Sequence, residues 1–152
     1  MKGFLGTYAS FTADLNLVLQ LAMALALGAG AWLARKKRYR AHAICQSAVL
    51  LLNLPLIALV MWPSFDERVW PRIPQRIGKM HYALATLHGF TGAMAELLGL
   101  YIVLVAGTNV VPEGLRIARW KLWMRLELAL WWFVVATGLV TYFCWYIPKV
   151  RS

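Results

Sequence analysis

The chain has 152 residues, 61% of them hydrophobic, and a mean hydropathy of +0.61. A soluble domain runs nearer half apolar, so this composition argues against one, and the length suits a single domain. The formal net charge is +10, from 16 Lys and Arg against 6 Asp and Glu. These basic residues lie in short connections between apolar blocks, which suits anchoring to anionic headgroups rather than binding nucleic acid.

A membrane-crossing helix needs about 20 mostly apolar residues. Four blocks reach that length, at about 15–34, 43–62, 80–106 and 122–147. Residues 1–13 form an aromatic lead-in expected at the membrane interface. The first block runs into Arg35-Lys36-Lys37-Arg38-Tyr39-Arg40, an anchoring pattern unlike a cleaved presequence. Only about eight residues separate it from the second block, so the two helices should be antiparallel neighbours. Asn53 and Pro55 in the second block predict a kink with a polar side chain near mid-membrane. Pro63, Pro71 and Pro74, with Trp62 and Trp70, then predict a helix-free loop of about 17 residues in the headgroup layer.

The third block ends near Gly107-Thr108-Asn109, and a second basic connection, 116–125, leads into the fourth. Pro148 is expected to stop that last helix. The predicted fold is therefore all-α: an integral membrane bundle of four antiparallel transmembrane helices in one domain, 1–152, bathed in lipid. Nine Lys and Arg fall on the side of the first and third loops and seven on the other. The nine hug the helix ends, so the positive-inside rule puts that side in the cytoplasm and both termini outside. Cys45 and Cys144 fall in opposite leaflets of such a bundle and are not expected to pair.

Ionisable groups within hydrocarbon cost at least about 2.5–3.5 kcal/mol each and call for a partner or a purpose. His81, His88 and Glu96 in the third span, with Arg125 and Glu127 at the start of the fourth, meet that description. His81 and His88 are two helical turns apart on one face, and Glu96 lies within about 80° of it. Gly92 and Gly99 share the face and would admit a neighbouring helix or a flat cofactor. One reading is a haem or metal site, with a b-type haem as cofactor and His88 assisted by His42 or His81. The plainer one has His88 hydrogen-bonding across the bundle and His81 sitting among headgroups. Two histidines of one helix cannot clamp a single haem, and His42 falls near the opposite face of the membrane.

Glu96 and Glu127 are expected close to Arg125 and Arg119, as an intramembrane ion pair that fixes helix registry. The sharper alternative is a proton path or a quinone pocket, for which Trp120, Trp123, Trp131 and Trp132 would supply aromatic walls. No phosphate loop, nucleophile elbow, zinc-protease helix or paired-cysteine motif occurs in the sequence.

Several features recur together in order and spacing. They are Leu15-Asn16-Leu17-Val18-Leu19-Gln20 in the first span, the basic run followed by His42, and His88 early in the third span. In the last span they are Arg125, Trp131 and Thr137-Gly138-Leu139-Val140-Thr141-Tyr142. Over roughly 14–146 the chain thereby resembles the CtaM/YozB-like family of small bacterial multi-helix membrane proteins. That family's pattern has four histidines, two near each side of the membrane, implying two metal or haem sites. His42 and His88 match two of these positions, while Ser64 and Trp120 stand at the other two, and His81 is the available substitute partner for His88. Some members are associated with assembly of haem-copper respiratory oxidases. The resemblance implies a non-enzymatic accessory subunit or assembly factor of a respiratory-type redox complex in the bacterial inner membrane, partnered by larger subunits. The residues themselves leave two alternatives: a small haem-binding electron carrier built on His88, or a quinone- or proton-handling module built on Glu96, Arg125 and Glu127.

Overall fold

A computed structural model describes residues 3–116 and 118–147. It contains four helices long and apolar enough to cross a membrane and no strand among the described residues, as the four apolar blocks predict. Pro148, Lys2, Lys149 and Arg151, which entered the expectations for the helix stop and the orientation, lie outside the described residues.

The first helix, α1 (Phe11–Arg35), starts at Ser10, whose hydroxyl accepts the amide of Ala13 at 3.2 Å as an N-cap. It ends with Arg38 N–H bonded to Leu33 O and Lys37 N–H to Ala34 O, both at 3.0 Å. This doubly bonded C-terminal motif normally carries glycine at its left-handed position, yet here that position is Lys37, with φ of 60°. The tight reversal delivers the chain directly into α2 (Tyr39–Leu56), antiparallel to α1.

The region after α2 departs from expectation. A π-helical turn, Ile57–Met61, follows, then α3 (Trp62–Arg68), a 3-10 turn (Trp70–Arg72) and α4 (Ile73–Arg76). The predicted proline loop is mostly helical, because Pro63, Pro71 and Pro74 each occupy a second helical position, where a missing N–H leaves little unpaired. Between Pro55 and Pro63 the wide turn re-pairs the ladder, with Trp62 N–H reaching back to Ile57 O. Two long helices complete the fold, α5 (Met80–Gly107) and α6 (Trp120–Tyr146). Their connection is tied by Arg116, which donates to Val111 O at 3.1 Å and Asn109 Oδ1 at 3.2 Å, and by the Tyr101 hydroxyl on Leu115 O.

Neighbouring helices pack in the cyclic order α1–α2–α5–α6, with α6 closing back on α1. Each contributes to one core: Met23 and Leu27 from α1, Val49 and Leu50 from α2, Ala95 from α5, Trp131 and Val134 from α6. A smaller cluster of Val69, Tyr82 and Ala85, with Phe65, Ile73 and Trp145 against it, fills the end where α5 begins and α6 finishes. Large apolar side chains such as Leu25, Leu59, Leu97 and Phe143 point outward, as a lipid-facing surface requires. Both cysteines are free thiols, and Cys45 donates to Ala26 O at 3.3 Å.

The lead-in does more than rest at an interface. Gly3 N–H bonds Ala9 O at 2.9 Å and Tyr8 N–H bonds Tyr146 O at 3.1 Å, so residues 3–9 fold back over the ends of α1 and α6.

Candidate functional site

Each long helix contributes a polar side chain to the middle of the bundle: Gln20, Asn53, Glu96 and Glu127. Asn53 shares the inward face of α2 with Val49 and Leu50, and Glu96 shares that of α5 with Ala95 and Gly99. Gln20 lies one turn before Met23 and Ala24 on α1, and Glu127 one turn before Trp131 on α6. Gln20 Nε2 donates to Asn53 Oδ1 at 2.8 Å, and Asn53 Nδ2 donates to Glu96 Oε2 at 2.9 Å. Within α6, Trp131 Nε1 donates to Glu127 Oε1 at 2.8 Å. Asn53 and Glu96 are each only 5% exposed.

Each glutamate keeps one oxygen, Glu96 Oε1 and Glu127 Oε2, buried and without a donor. Glu127 is admitted to the α5 face that carries Glu96 because Gly99 stands one turn beyond that glutamate. A Cβ there would stand 2.8 Å from Glu127 Oε1 and 2.6 Å from Leu50 Cδ2, so the missing side chain is the space the Glu127 carboxyl occupies. Next to Glu127 a cavity of about 190 Å³ extends toward the basic connections, lined by His42, Gln46, Ser47, Leu50, Gly99, Ile102 and Trp131 among others.

The expected ion pair with Arg125 is corrected. Arg125 is exposed, and the two carboxyls take their hydrogen bonds from Asn53 and Trp131. Arg125 and Glu127 are two residues apart on one helix, about 200° around its axis, so they cannot both face the bundle. Arg119 is exposed as well. Of the four tryptophans proposed as pocket walls, Trp131 is buried at 4% exposure, while Trp123 and Trp132 are 38% and 45% exposed.

The three histidines do not converge. His88 Nδ1 donates to Val134 O at 3.1 Å and lies 3.4 Å from Thr137 Oγ1. Its ring is seated on Gly138, where a Cβ would come within 2.8 Å of His88 Cε1. His88 thus locks α5 to α6, as the plainer reading anticipates. His81 packs tilted against Tyr82 and edge-on to Trp145, with ring centroids at 4.7 and 5.4 Å, and Trp145 Nε1 donates to its carbonyl at 3.2 Å. His42, near the start of α2 at the basic end, uses Nδ1 on Gly30 O at 2.8 Å. His42 and His81 make their contacts elsewhere, so neither is a partner for His88. Among the described residues no three His, Cys, Asp or Glu side chains group as metal ligands.

One buried carboxylate escaped the sequence reading because it falls just before the first apolar block. Asp14 is 0% exposed. Its Oδ2 accepts Leu5 N–H at 2.7 Å and its Oδ1 accepts the Tyr142 hydroxyl at 2.5 Å. The Thr7 hydroxyl, which accepts Ala9 N–H at 3.2 Å, lies 2.8 Å from the same tyrosine oxygen. Thr7 therefore donates to Tyr142, and Tyr142 to Asp14. This set fastens residues 3–9 over the bundle, with every partner accounted for.

The fold and interior define a small four-helix membrane protein with two separate polar centres, one satisfied and one not. No protein-family model matches the chain, and comparisons with known proteins and with solved structures return no significant match.

Proposed function

We propose that the protein is a proton-handling accessory subunit of a membrane redox complex, with Glu96 and Glu127 holding one proton between them. The observation that supports this most is the pair of carboxyl oxygens, Glu96 Oε1 and Glu127 Oε2, buried without a donor and without a cation beside them. Two ionised carboxylates confined together in hydrocarbon would each carry the full cost of an uncompensated charge and would repel one another. A single shared proton removes one charge and supplies the missing donor. The Gln20–Asn53 chain steadies Glu96, and Trp131 steadies Glu127, so either carboxyl can take up the proton while keeping a fixed position.

The setting comes from the resemblance to the CtaM/YozB-like family, which favours assembly or support of a respiratory oxidase over independent catalysis. We place the chain in the bacterial cytoplasmic membrane with both termini outside, since the denser basic connections belong on the cytoplasmic side. The cavity next to Glu127 then opens toward the cytoplasm, the source of protons for a redox pump.

Extraction in several mild detergents tests the setting. The chain should emerge with larger redox subunits, and replacing both glutamates by glutamine should slow the turnover of that assembled complex several-fold. A chain recovered alone in every detergent, or full turnover with both glutamates replaced, refutes it.

A further inference from the structure

The cavity beside Glu127 has a chemistry of its own. Its walls are apolar, with Leu50 and Ile102 among them, and its volume of about 190 Å³ exceeds the roughly 150 Å³ that suffices for a benzene ring. Two proton acceptors line it. One is Glu127. The other is His42: with Nδ1 donating to Gly30 O at 2.8 Å, the neutral ring is fixed in the tautomer that leaves Nε2 as a lone pair. Gln46 and Ser47, on the next turn of α2, add polar groups between hydrocarbon wall and mouth. Ala43, Gly107 and Met124 at the mouth are exposed, so the cavity is open at the end of the bundle that carries the basic connections.

We propose that this cavity binds the ring of a lipid-soluble hydroquinone, one ring hydroxyl directed to Glu127 and the other to His42. A flat ring with two hydroxyl donors matches two acceptors set in an apolar slot, and its hydrocarbon tail would leave through the open mouth into lipid. With the shared proton on Glu96, Glu127 and His42 present acceptors where the oxidised quinone also has acceptors, so these two positions select the reduced form. Glu127 is thereby both a ligand-binding group and one half of the proton-holding pair, and the inference rests on that reading only through this residue.

The test uses the full-length purified protein under anaerobic conditions, with trimethylhydroquinone and its oxidised quinone as calorimetric probes. The reduced ring should bind about tenfold more tightly than the oxidised one, as expected for a charge-assisted hydrogen bond gained by one form only. Glu127→Gln should weaken the reduced ring by a similar factor, and Ser47→Phe, which fills the cavity from α2, should abolish its binding. No binding, equal affinity for the two redox forms, or affinity unaltered by both substitutions overturns the proposal. If binding fails while a protonated carboxyl sensitive to Glu96 and Glu127 is still detected, the inference falls and the proton-holding pair stands. If that carboxyl is missing but the hydroquinone binds selectively, the reverse holds.

Discussion

Asn53 and Glu96, 43 residues apart in the chain, meet at 2.9 Å in the bundle interior, and this contact decides how the polar centre is held. The asparagine is the only donor to the Glu96 carboxyl among the described residues, and it is itself oriented by Gln20. Asn53→Leu strips Glu96 Oε2 of its donor and should cost about 1–3 kcal/mol, read as a lower unfolding midpoint in mild detergent. Adding Glu96→Leu to that variant should recover most of the loss, since removing both partners removes the unpaired group. A double variant less stable than either single one would contradict this arrangement.

Gly138→Ala should drive the His88 ring off its seat, because the new methyl would lie 2.8 Å from His88 Cε1 and the ring cannot bend aside. Overpacking of this kind costs about 1–3 kcal/mol. His88→Ala in the same background should lift the clash, so the pair of substitutions should fall well short of additive when unfolding midpoints are compared.

How far these contacts were legible in the sequence follows from where each residue sits. Glu96, Glu127 and His88 stand out because each interrupts an apolar block, and the blocks themselves reveal four spans through length alone. Arg125 misled for a physical reason: adjacency in sequence suggests pairing, but a two-residue step on a helix turns the guanidinium to the opposite side from Glu127. Asp14 and Gln20 carry no site signal of their own, because a carboxylate at the margin of a span and an amide within one are ordinary until a folded-back segment or a facing helix gives them partners. The prolines of 63–74 were overread as breakers, since nothing local shows that each falls at a tolerated second helical position.

Tyr142→Phe should release the lead-in without unfolding the bundle. The substitution removes the 2.5 Å bond to Asp14 and the acceptor for Thr7, while the apolar contacts of the ring remain. Amide exchange at Leu5 and Tyr8 should accelerate about tenfold, the effect of losing one hydrogen bond of ordinary strength, with exchange in α5 unaltered.

Lys37→Gly should stabilise the α1–α2 turn. Lys37 adopts φ of 60°, which costs an L-residue roughly 1–2 kcal/mol that glycine does not incur. Some of that gain is offset by the greater freedom of glycine in the unfolded chain, so a net rise of about 0.5–1 kcal/mol is expected in thermal denaturation.

Infrared difference spectroscopy across a pH step, on the protein in lipid, bears most directly on the proton shared by Glu96 and Glu127. A protonated-carboxyl stretching band should be present in the wild type, shift in Glu96→Gln and in Glu127→Gln, and vanish when both are replaced. A wild-type spectrum lacking such a band throughout the neutral range, or a band that survives the double substitution, would contradict the shared proton.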